Sequence, residues 1–347
     1  MTQNKQKSRL VIASSPHLKS PIKTSHIMLD VLIALVPVIL ATTLIFGTRV
    51  ILNIFVAVFF AVLTEYIARK IMKRPQTIQD LSAAVTGVLL ALNVPVEMPL
   101  WQLALGSIFA ISLVKQAFGG IGQNLVNPAM ITRLVLVSSF SSSFTNPSVP
   151  IQSFVNFAHS TGLSGITPDA AVDGTSSATF LYVLKEGISA DESVPNIFDL
   201  LIGNQRSTAV GEVCSLAFVL AFIYLLARKV ITWHAPISFV GTVTICSFLY
   251  GSLDFRYVIL QLLSGGLLFA AIFMATDYTT TPLTNKGKLI FGIGCGLITC
   301  LIRFWGSLPE GVSYSIIIMN ILTPHIDRFT IDEPLGATKE KEREVST

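Results

Sequence analysis

The chain has 347 residues, 52% of them hydrophobic and only 13% charged, and its formal net charge is +4. Together with a mean hydropathy of +0.67, these values exclude a soluble domain of ordinary composition and predict an all-α polytopic membrane protein. The four cysteines fall in apolar segments and form no CxxC pair, so the sequence supports neither a disulfide framework nor a zinc site. We expect no metal site and no nucleic-acid partner.

The chain begins with a basic tail, residues 1–27, which contains five Lys or Arg residues and no acidic residue. No cleavage pattern follows the first apolar run, so we expect that run to remain as a membrane span. About 20 apolar residues cross the hydrocarbon core, and fewer suffice where neighbouring helices shield the ends. Ten segments qualify: Met28 to Phe46, Val50 to Ala68, Asp80 to Val94, Met98 to Val114, Val126 to Phe140, Thr208 to Ala227, Ile231 to Tyr250, Tyr257 to Thr276, Leu289 to Trp305 and Val312 to Thr323.

The ten predicted spans divide into two halves of five, residues 28–141 and 208–324. A long polar loop at 142–207 joins the halves, and a tail at 325–347 follows them. Two halves of five spans suggest a duplication in which corresponding helices have opposite orientations. The sequence similarity between the halves is faint, so this repeat is an architectural hypothesis.

The Lys and Arg residues are distributed unequally between the two predicted sides of the membrane. With the amino terminus in the cytoplasm, 18 of the 24 lie on the cytoplasmic side, 5 lie outside, and Arg133 lies within a span. Because basic residues resist translocation, this bias predicts two cytoplasmic termini and an extracytoplasmic 142–207 loop. Nine or eleven spans would separate the two basic tails, which favours ten.

The fifth predicted span begins with a sequence that breaks helices. Asn124-Leu-Val-Asn127-Pro128 follows a glycine cluster at 119–122. Backbone groups freed at membrane depth must be buried in protein or line a cavity. The glycine cluster is too weak a signal for a phosphate loop, because no strand precedes it.

Arg133 is the ionisable residue that lies deepest in a predicted span, about five residues past Pro128. A charge in lipid costs several kcal/mol unless it is paired or faces a cavity. Arg133 is therefore expected to pair with a flavin or a carboxylate, or else to extend toward the cytoplasmic surface. Six acidic residues lie near span ends, where hydration is the usual explanation: Asp30, Glu65, Asp80, Glu97, Asp254 and Asp277.

The last five predicted spans are rich in glycine. Gly292, Gly294 and Gly296 lie in the ninth span, and Gly265 and Gly266 lie in the eighth. Small residues let membrane helices approach closely, and this structural interpretation accounts for most of these glycines.

The segment Asp173-Gly-Thr-Ser-Ser-Ala-Thr179 lies in the long polar loop. Gly, Ser, Thr and Asp dominate turns for backbone reasons, so by itself this segment is typical of an exposed turn. A functional interpretation depends on its agreement with other parts of the chain.

Four segments, in this order, resemble motifs of one family. They are Asp80 to Leu92, Gly119 to Ala129, Asp173 to Thr179 and Met274 to Gly287. On these segments the chain resembles the family of the Rnf complex D subunit and the B subunit of the sodium-translocating NADH:quinone reductase. The resemblance covers about Met28 to Asp327, and the short amino-terminal tail is more similar to the Rnf member. It implies a helical bundle similar to that of urea transporters.

The resemblance implies a covalently bound FMN. In the family, Asp-x-x-Ser-x-Ala-Thr is the sequence on which a flavin transferase forms a phosphoester between FMN and the last threonine, which here is Thr179. Asp173, Ser176 and Ala178 take the recognition positions, whereas Ser177 stands where the family most often has glycine. An accessible hydroxyl can attack the FMN phosphoryl group of FAD once a metal-loaded transferase neutralises the phosphate charge.

The resemblance also implies a second flavin, a non-covalent riboflavin held among the membrane helices. The segment around Asn127 and Pro128 is predicted to line its pocket, with Arg133 as a further pocket residue. No catalytic side chain is predicted, because a flavin performs the redox chemistry while the protein supplies location and tuning.

The family implies an electron-carrying subunit of an Rnf-type complex in a prokaryotic cytoplasmic (inner) membrane, coupling ferredoxin:NAD⁺ oxidoreduction to Na⁺ or H⁺ transport. Its implied partners are Rnf subunits A, B, C, E and G and the flavin transferase. Ferredoxin and NAD are expected to bind those subunits, since this chain has no dinucleotide fingerprint and no cysteine set for an iron–sulfur cluster. Two alternatives remain open: the quinone-reductase B subunit, and a non-redox solute transporter or channel.

Overall fold

The structure is a computed structural model. It describes residues 23–145, 148–151, 153–154, 197–203, 209–251, 253–306, 308 and 310–331. Every regular element among these residues is a helix, and they contain no β-strand. The all-α prediction is confirmed for this part of the chain.

The first part of the bundle is built from long apolar helices and shorter ones packed against them. The helices are α1 (Thr24–Phe46), α2 (Arg49–Ile71), α3 (Ser82–Leu92), α4 (Leu100–Phe109, continued by π-helical Ala110–Gln116), α5 (Pro128–Ser139) and α6 (Ser141–Thr145). A tight turn joins α1 to α2 at Gly47, whose φ of +85° favours glycine. A 3₁₀ turn, Ile78–Asp80, precedes α3.

The second part of the bundle repeats this mixture of long and short helices. The helices are α7 (Ile197–Ile202), α8 (Ser215–Ala227), α9 (His234–Tyr250), α10 (Phe255–Leu263), α11 (Leu267–Phe269, continued by π-helical Ala270–Met274), α12 (Asn285–Trp305) and α13 (Val312–Thr330). Side chains cap two of them: Asp254 accepts from Arg256 N at 2.8 Å, and Thr284 accepts from Gly287 N at 2.9 Å.

Three helices, α1, α2 and α12, are each long and apolar enough to cross a membrane. α10 and α11 form a bent pair, with an angle of 64° between them, that qualifies as a broken span. Five shorter apolar helices accompany them: α3, α4, α5, α8 and α9. Each of the ten predicted spans coincides with one of these elements or with α13, and the crossing of the membrane by all ten stays a prediction.

The predicted span from Tyr257 to Thr276 is interrupted in the structure. The helix is interrupted between Leu263 and Leu267, where Gly265 adopts a φ of +68°. A residue in this left-handed conformation cannot continue a right-handed helix.

The ends of two other predicted spans also differ from the structure. α8 begins at Ser215 instead of Thr208, because Val210–Glu212 forms a 3₁₀ turn whose first amide donates to Val94 O at 3.1 Å. α13 continues past the predicted end at Thr323 to Thr330, with Pro324 inside the helix.

Glycines allow the closest helix contacts, as the sequence predicted. A Cβ on Gly292 of α12 would lie 2.6 Å from Ala235 O of α9, and a Cβ on Gly87 of α3 would lie 2.8 Å from Val58 Cα of α2. Helices in lipid associate through such packing because lipid is as apolar as their side chains. The pairs α9–α12 and α2–α3 are therefore packed too closely to admit a side chain at these two glycines.

The outer faces of the long helices are apolar and exposed. Phe55 on α2 is 66% exposed and Leu44 on α1 is 68% exposed, whereas Leu35 and Ala57 on the same two helices are fully buried. Apolar surface of this extent is unfavourable in water and suits contact with lipid or other membrane subunits.

Candidate functional site

A cavity of about 80 Å³ lies where several helix ends meet. Its walls come from α1, α3, the start of α5, the ends of α4, α8 and α11, and the loops that precede α5 and follow α11. Its charged and amide-bearing wall residues are Lys115, Asn124, Asn127 and Asp277.

Asn127 caps the first turn of α5. Its Oδ1 accepts hydrogen bonds from Ala129 N at 3.0 Å and Met130 N at 3.3 Å, which satisfies two amides that the helix start leaves free. The Asn320 amide of α13 accepts from Asn127 N at 3.1 Å and donates to Thr280 O at 3.2 Å. The predicted Asn-Pro break is thus a capped helix start that lines a cavity.

Two other polar side chains of the cavity wall, Asn124 and Asp277, differ in their hydrogen bonding. Asn124 Oδ1 is buried and has no hydrogen-bond partner among the described residues. The Asp277 carboxylate accepts from Thr279 N at 3.4 Å, Thr279 Oγ1 at 3.2 Å and Thr280 Oγ1 at 3.3 Å. Burial raises the pKa of Asp277, and these hydrogen bonds oppose the rise. The cavity wall therefore contains one acceptor without a partner among the described residues and one carboxylate.

The backbone around the cavity is irregular. α4 ends in the π-helical segment Ala110–Gln116 and α11 in Ala270–Met274, and both segments contribute wall residues. Immediately before α3, Leu81 has a φ of +58°. π-helical turns and left-handed non-glycine residues are uncommon, and they concentrate at functional sites. Three such features at one cavity mark it as the candidate site.

A buried ion pair stands beside the cavity. Lys115 Nζ donates to Glu65 Oε1 at 3.1 Å, to Glu65 Oε2 at 3.2 Å and to Ser82 Oγ at 2.6 Å. Glu65 also accepts from Gln116 Nε2 and Thr77 Oγ1, each at 2.9 Å. The expectation of a hydrated Glu65 was wrong, since Glu65 and Lys115 are each 1% exposed. Such burial is tolerable because every charged atom of the pair has a partner.

A second buried polar centre lies farther along α5. Arg133 Nη2 donates to Glu212 Oε1 at 2.8 Å and to Glu310 Oε2 at 2.6 Å, and Nη1 donates to Ser313 Oγ at 3.4 Å. Of the alternatives predicted for Arg133, pairing with a carboxylate is confirmed. We refer to Arg133, Glu212, Glu310 and Arg303 as the charged cluster.

Residues of the charged cluster form hydrogen bonds with backbone groups at the break between α10 and α11. Glu310 Oε1 accepts from Gly266 N at 2.9 Å, at the start of α11. Arg303 donates to Gln261 O at 2.8 Å and to Ser264 O at 3.3 Å, at the end of α10. A carboxylate thus meets the positive end of one half-helix and a guanidinium meets the negative end of the other. The backbone groups freed by the break are paired within the protein, as membrane depth requires.

The cavity and the charged cluster lie at two levels of the same helices. α5 places Asn127 at the cavity and Arg133 in the cluster, about 9 Å farther along the helix axis. α11 starts beside Glu310 at Gly266 and supplies Phe273 to the cavity wall. The two polar centres are therefore neighbours that share two helices.

The predicted site residues fall into two groups: some lie outside the described residues, and others lie at the cavity or in the charged cluster. The four residues of the predicted flavinylation sequence lie outside the described residues: Asp173, Ser176, Ala178 and Thr179. Asn127 lines the cavity and Arg133 belongs to the charged cluster, and a flavin contact of either stays a prediction. Sequence reasoning missed Lys115, whose signal was a single cation at the end of an apolar segment.

Sequence comparison identifies the family of the chain. The profile of the NQR2, RnfD, RnfE family matches residues 11–336. The chain belongs to the NQR2, RnfD, RnfE family. Membership in the NQR2, RnfD, RnfE family, together with the long apolar helices, makes it a multi-pass membrane protein.

Individual members of the family are similar to this chain from end to end. The D subunit of the Na⁺-translocating ferredoxin:NAD⁺ oxidoreductase complex of Acetobacterium woodii is 40% identical over 334 residues, which cover 96% of this chain and 97% of the relative. The D subunit of the proton-translocating complex of Clostridium ljungdahlii is 36% identical over 342 residues, covering 96% and 98%. The D subunit of the ion-translocating oxidoreductase complex of Escherichia coli O139:H28 is 37% identical over 347 residues, covering 94% and 99%.

Proposed function

We propose that this chain is the D subunit of an ion-translocating ferredoxin:NAD⁺ oxidoreductase complex of the Rnf type. The observation that carries the proposal is the 40% identity to a D subunit of such a complex across 97% of its length. The aligned length covers nearly the whole chain, so the cavity and the charged cluster belong to the shared part. The chain would act as an electron-carrying subunit, with the NAD and iron–sulfur sites on partner subunits.

Deletion of the gene in its source cell tests this function. Membrane vesicles from the deletion strain are expected to lose NAD⁺ reduction by reduced ferredoxin and to regain it when the wild-type gene is supplied. An affinity-tagged chain purified from the complemented strain is expected to bring subunits A, B, C, E and G with it. Undiminished ferredoxin-dependent NAD⁺ reduction in the deletion strain would reject the proposal.

A covalent FMN on Thr179 is the second part of the proposal. Its support is the Asp173 to Thr179 sequence, in which Asp173, Ser176 and Ala178 take the recognition positions, in a chain that belongs to the family. A flavin transferase is the partner that this modification needs. When bound, FMN supplies the electron-transfer chemistry, and the chain supplies its position near the membrane.

The cavity suits a non-covalent flavin such as riboflavin. Leu89 and Phe273 supply apolar wall against which a flat ring can pack. The flavin ring also carries an N–H group that needs an acceptor, and the unpartnered Asn124 Oδ1 offers one. The residues present therefore fit the ring.

We also infer that the chain lies in a prokaryotic cytoplasmic membrane with both termini in the cytoplasm and Thr179 outside. The distribution of basic residues supports this orientation. Contacts agree with the predicted grouping of loops on one side of the membrane, although they do not say which side that is. Arg49 and Val96, both predicted to be outside, are joined by a hydrogen bond of 3.1 Å from Arg49 Nε to Val96 O.

Two rival functions are less well supported. A solute transporter or channel has no use for a flavinylation sequence, and the relatives described above are oxidoreductase subunits. The B subunit of a sodium-translocating NADH:quinone reductase belongs to the same broad family, but the three relatives are D subunits. Vesicles that reduce a quinone with NADH, and do not reduce NAD⁺ with ferredoxin, would favour that rival.

The transported ion is Na⁺ or H⁺. The relatives include one sodium-translocating and one proton-translocating complex at similar identity. Turnover of the purified complex that depends on Na⁺ would assign sodium, and turnover that is insensitive to Na⁺ would assign the proton.

A further inference from the structure

The cavity has an asymmetric distribution of charge. Of the described residues that line it, Lys115 is the only cation and Asp277 the only anion. Lys115 lies at the end of α4, whereas Asp277 lies in the loop after α11. The two charges reach the cavity from different elements, so each can act on a bound molecule separately.

The network behind Lys115 does not cancel its charge. Glu65 Oε1 lies 3.1 Å from Lys115 Nζ and 4.0 Å from Arg69 Nε, so one carboxylate faces two cations. Asp80 also attracts Lys115, but it is partly exposed and water screens its charge. The buried network of Glu65, Arg69 and Lys115 therefore has one positive charge in excess, and Lys115 is its member at the cavity wall.

The Lys115 ammonium is also fixed in place. Two of its N–H groups point to the oxygens of Glu65 and the third to Ser82 Oγ. The ammonium is thus saturated with protein acceptors and affects a molecule in the cavity through its electric field. A charge that is already oriented stabilises a new charge without the cost of rearrangement, and the effect is larger in a buried site than in water.

We propose that Lys115 stabilises the reduced, anionic form of a flavin ring bound in the cavity. The inference rests on the proposed non-covalent flavin and names the residue that tunes its redox equilibrium. An oxidised flavin ring is neutral. When it takes two electrons and one proton, it gains one net negative charge, and the electrons come from a low-potential iron–sulfur protein, the donor in the proposed function. Lys115 favours this product over the neutral ring, and Asp277 opposes it.

The test uses the full-length chain in lipid nanodiscs, made without the flavin transferase so that no covalent FMN forms, and loaded with riboflavin. Reductive titration with dithionite and a reference dye gives the midpoint, and fluorescence gives the Kd of oxidised riboflavin. The difference between the midpoints of bound and free riboflavin gives the ratio of the affinities for the reduced and oxidised forms, and the Kd of the oxidised form then gives that of the reduced form. The variants are Lys115→Met, Lys115→Arg and Asp277→Asn, with Lys286→Met as the control that removes an exposed cation.

Lys115→Met is expected to lower the affinity ratio at least tenfold, which lowers the midpoint of a two-electron couple by about 30 mV. Lys115→Arg keeps the charge and is expected to stay within threefold of the wild type. Asp277→Asn is expected to raise the ratio, and Lys286→Met to leave it within twofold. If Lys115→Met binds riboflavin and its midpoint equals that of Lys286→Met, the inference about Lys115 is overturned while the cavity remains a flavin site.

The wild-type chain provides a measurement that does not depend on the folding of any variant. It is expected to bind reduced riboflavin at least ten times more tightly than oxidised riboflavin. Equal affinity for the two forms would overturn the inference about Lys115. No binding of riboflavin at all would overturn the cavity ligand of the proposed function, and the inference with it.

Discussion

Arg133 Nη2 lies 2.6 Å from Glu310 Oε2, so a guanidinium on α5 is joined to the segment that precedes α13. The same carboxylate accepts the Gly266 amide at the break between α10 and α11. The Arg133–Glu310 ion pair therefore both links the two parts of the bundle and, through Glu310, satisfies an interrupted helix. This arrangement makes the charged cluster a structural joint of the bundle.

Loss of the Arg133 charge is expected to destabilise the bundle. Arg133→Gln should lower the free energy of unfolding by about 3–5 kcal/mol, because Glu212 and Glu310 would stay buried without this cation. Thermal unfolding in detergent, followed by circular dichroism, measures the effect. The control is Arg256→Gln, which changes an exposed arginine on α10 and should cost less than about 0.5 kcal/mol. Equal stability of the two variants would contradict a structural role of Arg133.

One added methyl group between α9 and α12 is expected to destabilise the protein. Gly292→Ala would place a Cβ 2.6 Å from Ala235 O, whereas the Cβ of Gly241→Ala on α9 would meet nothing within 4 Å. We expect Gly292→Ala to cost about 1–3 kcal/mol of stability through overpacking. Gly241→Ala should be neutral or stabilising, by up to about 1 kcal/mol, because alanine favours the helix. Thermal unfolding in detergent measures the stability of both variants. A Gly292→Ala variant more stable than Gly241→Ala would show that α9 and α12 are not closely packed at Gly292.

Covalent attachment of FMN is expected to depend on the hydroxyl group of Thr179. Thr179→Ala should abolish the flavin fluorescence of the denatured protein band when the flavin transferase is present. Ser177→Ala changes a neighbouring hydroxyl in the same segment and should retain it. Mass spectrometry of the 142–207 region should find FMN on Thr179 in the wild type. An unmodified wild-type peptide under these conditions would reject the covalent cofactor.

Asn124 is expected to contribute to riboflavin affinity. Asn124→Leu removes the unpartnered Oδ1 at the cavity and should weaken binding by about 1–3 kcal/mol, or roughly 5- to 150-fold in Kd. Gln123→Leu alters the exposed neighbour and should change Kd less than twofold. Fluorescence titration of each variant with riboflavin gives the comparison. Indistinguishable affinities would remove Asn124 from the pocket.

The proposed orientation predicts that two introduced cysteines, one on each side of the membrane, are labelled under opposite conditions. The four native cysteines are free thiols and would first be replaced by alanine. In that background, Ser164→Cys in the long loop should react with an impermeant maleimide in intact cells. Lys73→Cys, after α2, should react only when the membrane is opened. Labelling of the loop cysteine only after opening would invert the topology.

The sequence by itself determined the class of the protein, the approximate positions of its helices and its family. Runs of apolar residues are local features, and their length predicts a membrane helix without knowledge of its neighbours. The Asn-Pro break before α5 was also readable, because proline lacks an amide and a preceding asparagine is a good cap. The flavinylation sequence is equally local, and its assignment to Thr179 stays a prediction.

Only the tertiary structure decided which polar residues are partners. Lys115 is 50 positions from Glu65 in the chain, and Arg133 is 177 positions from Glu310, so no periodicity or spacing connects them. Glu65 lies near a span end, and the sequence around it is equally compatible with a hydrated carboxylate and with a buried one. The choice depends on whether packing of distant helices supplies a counter-charge, since a buried carboxylate is stable only when it is paired.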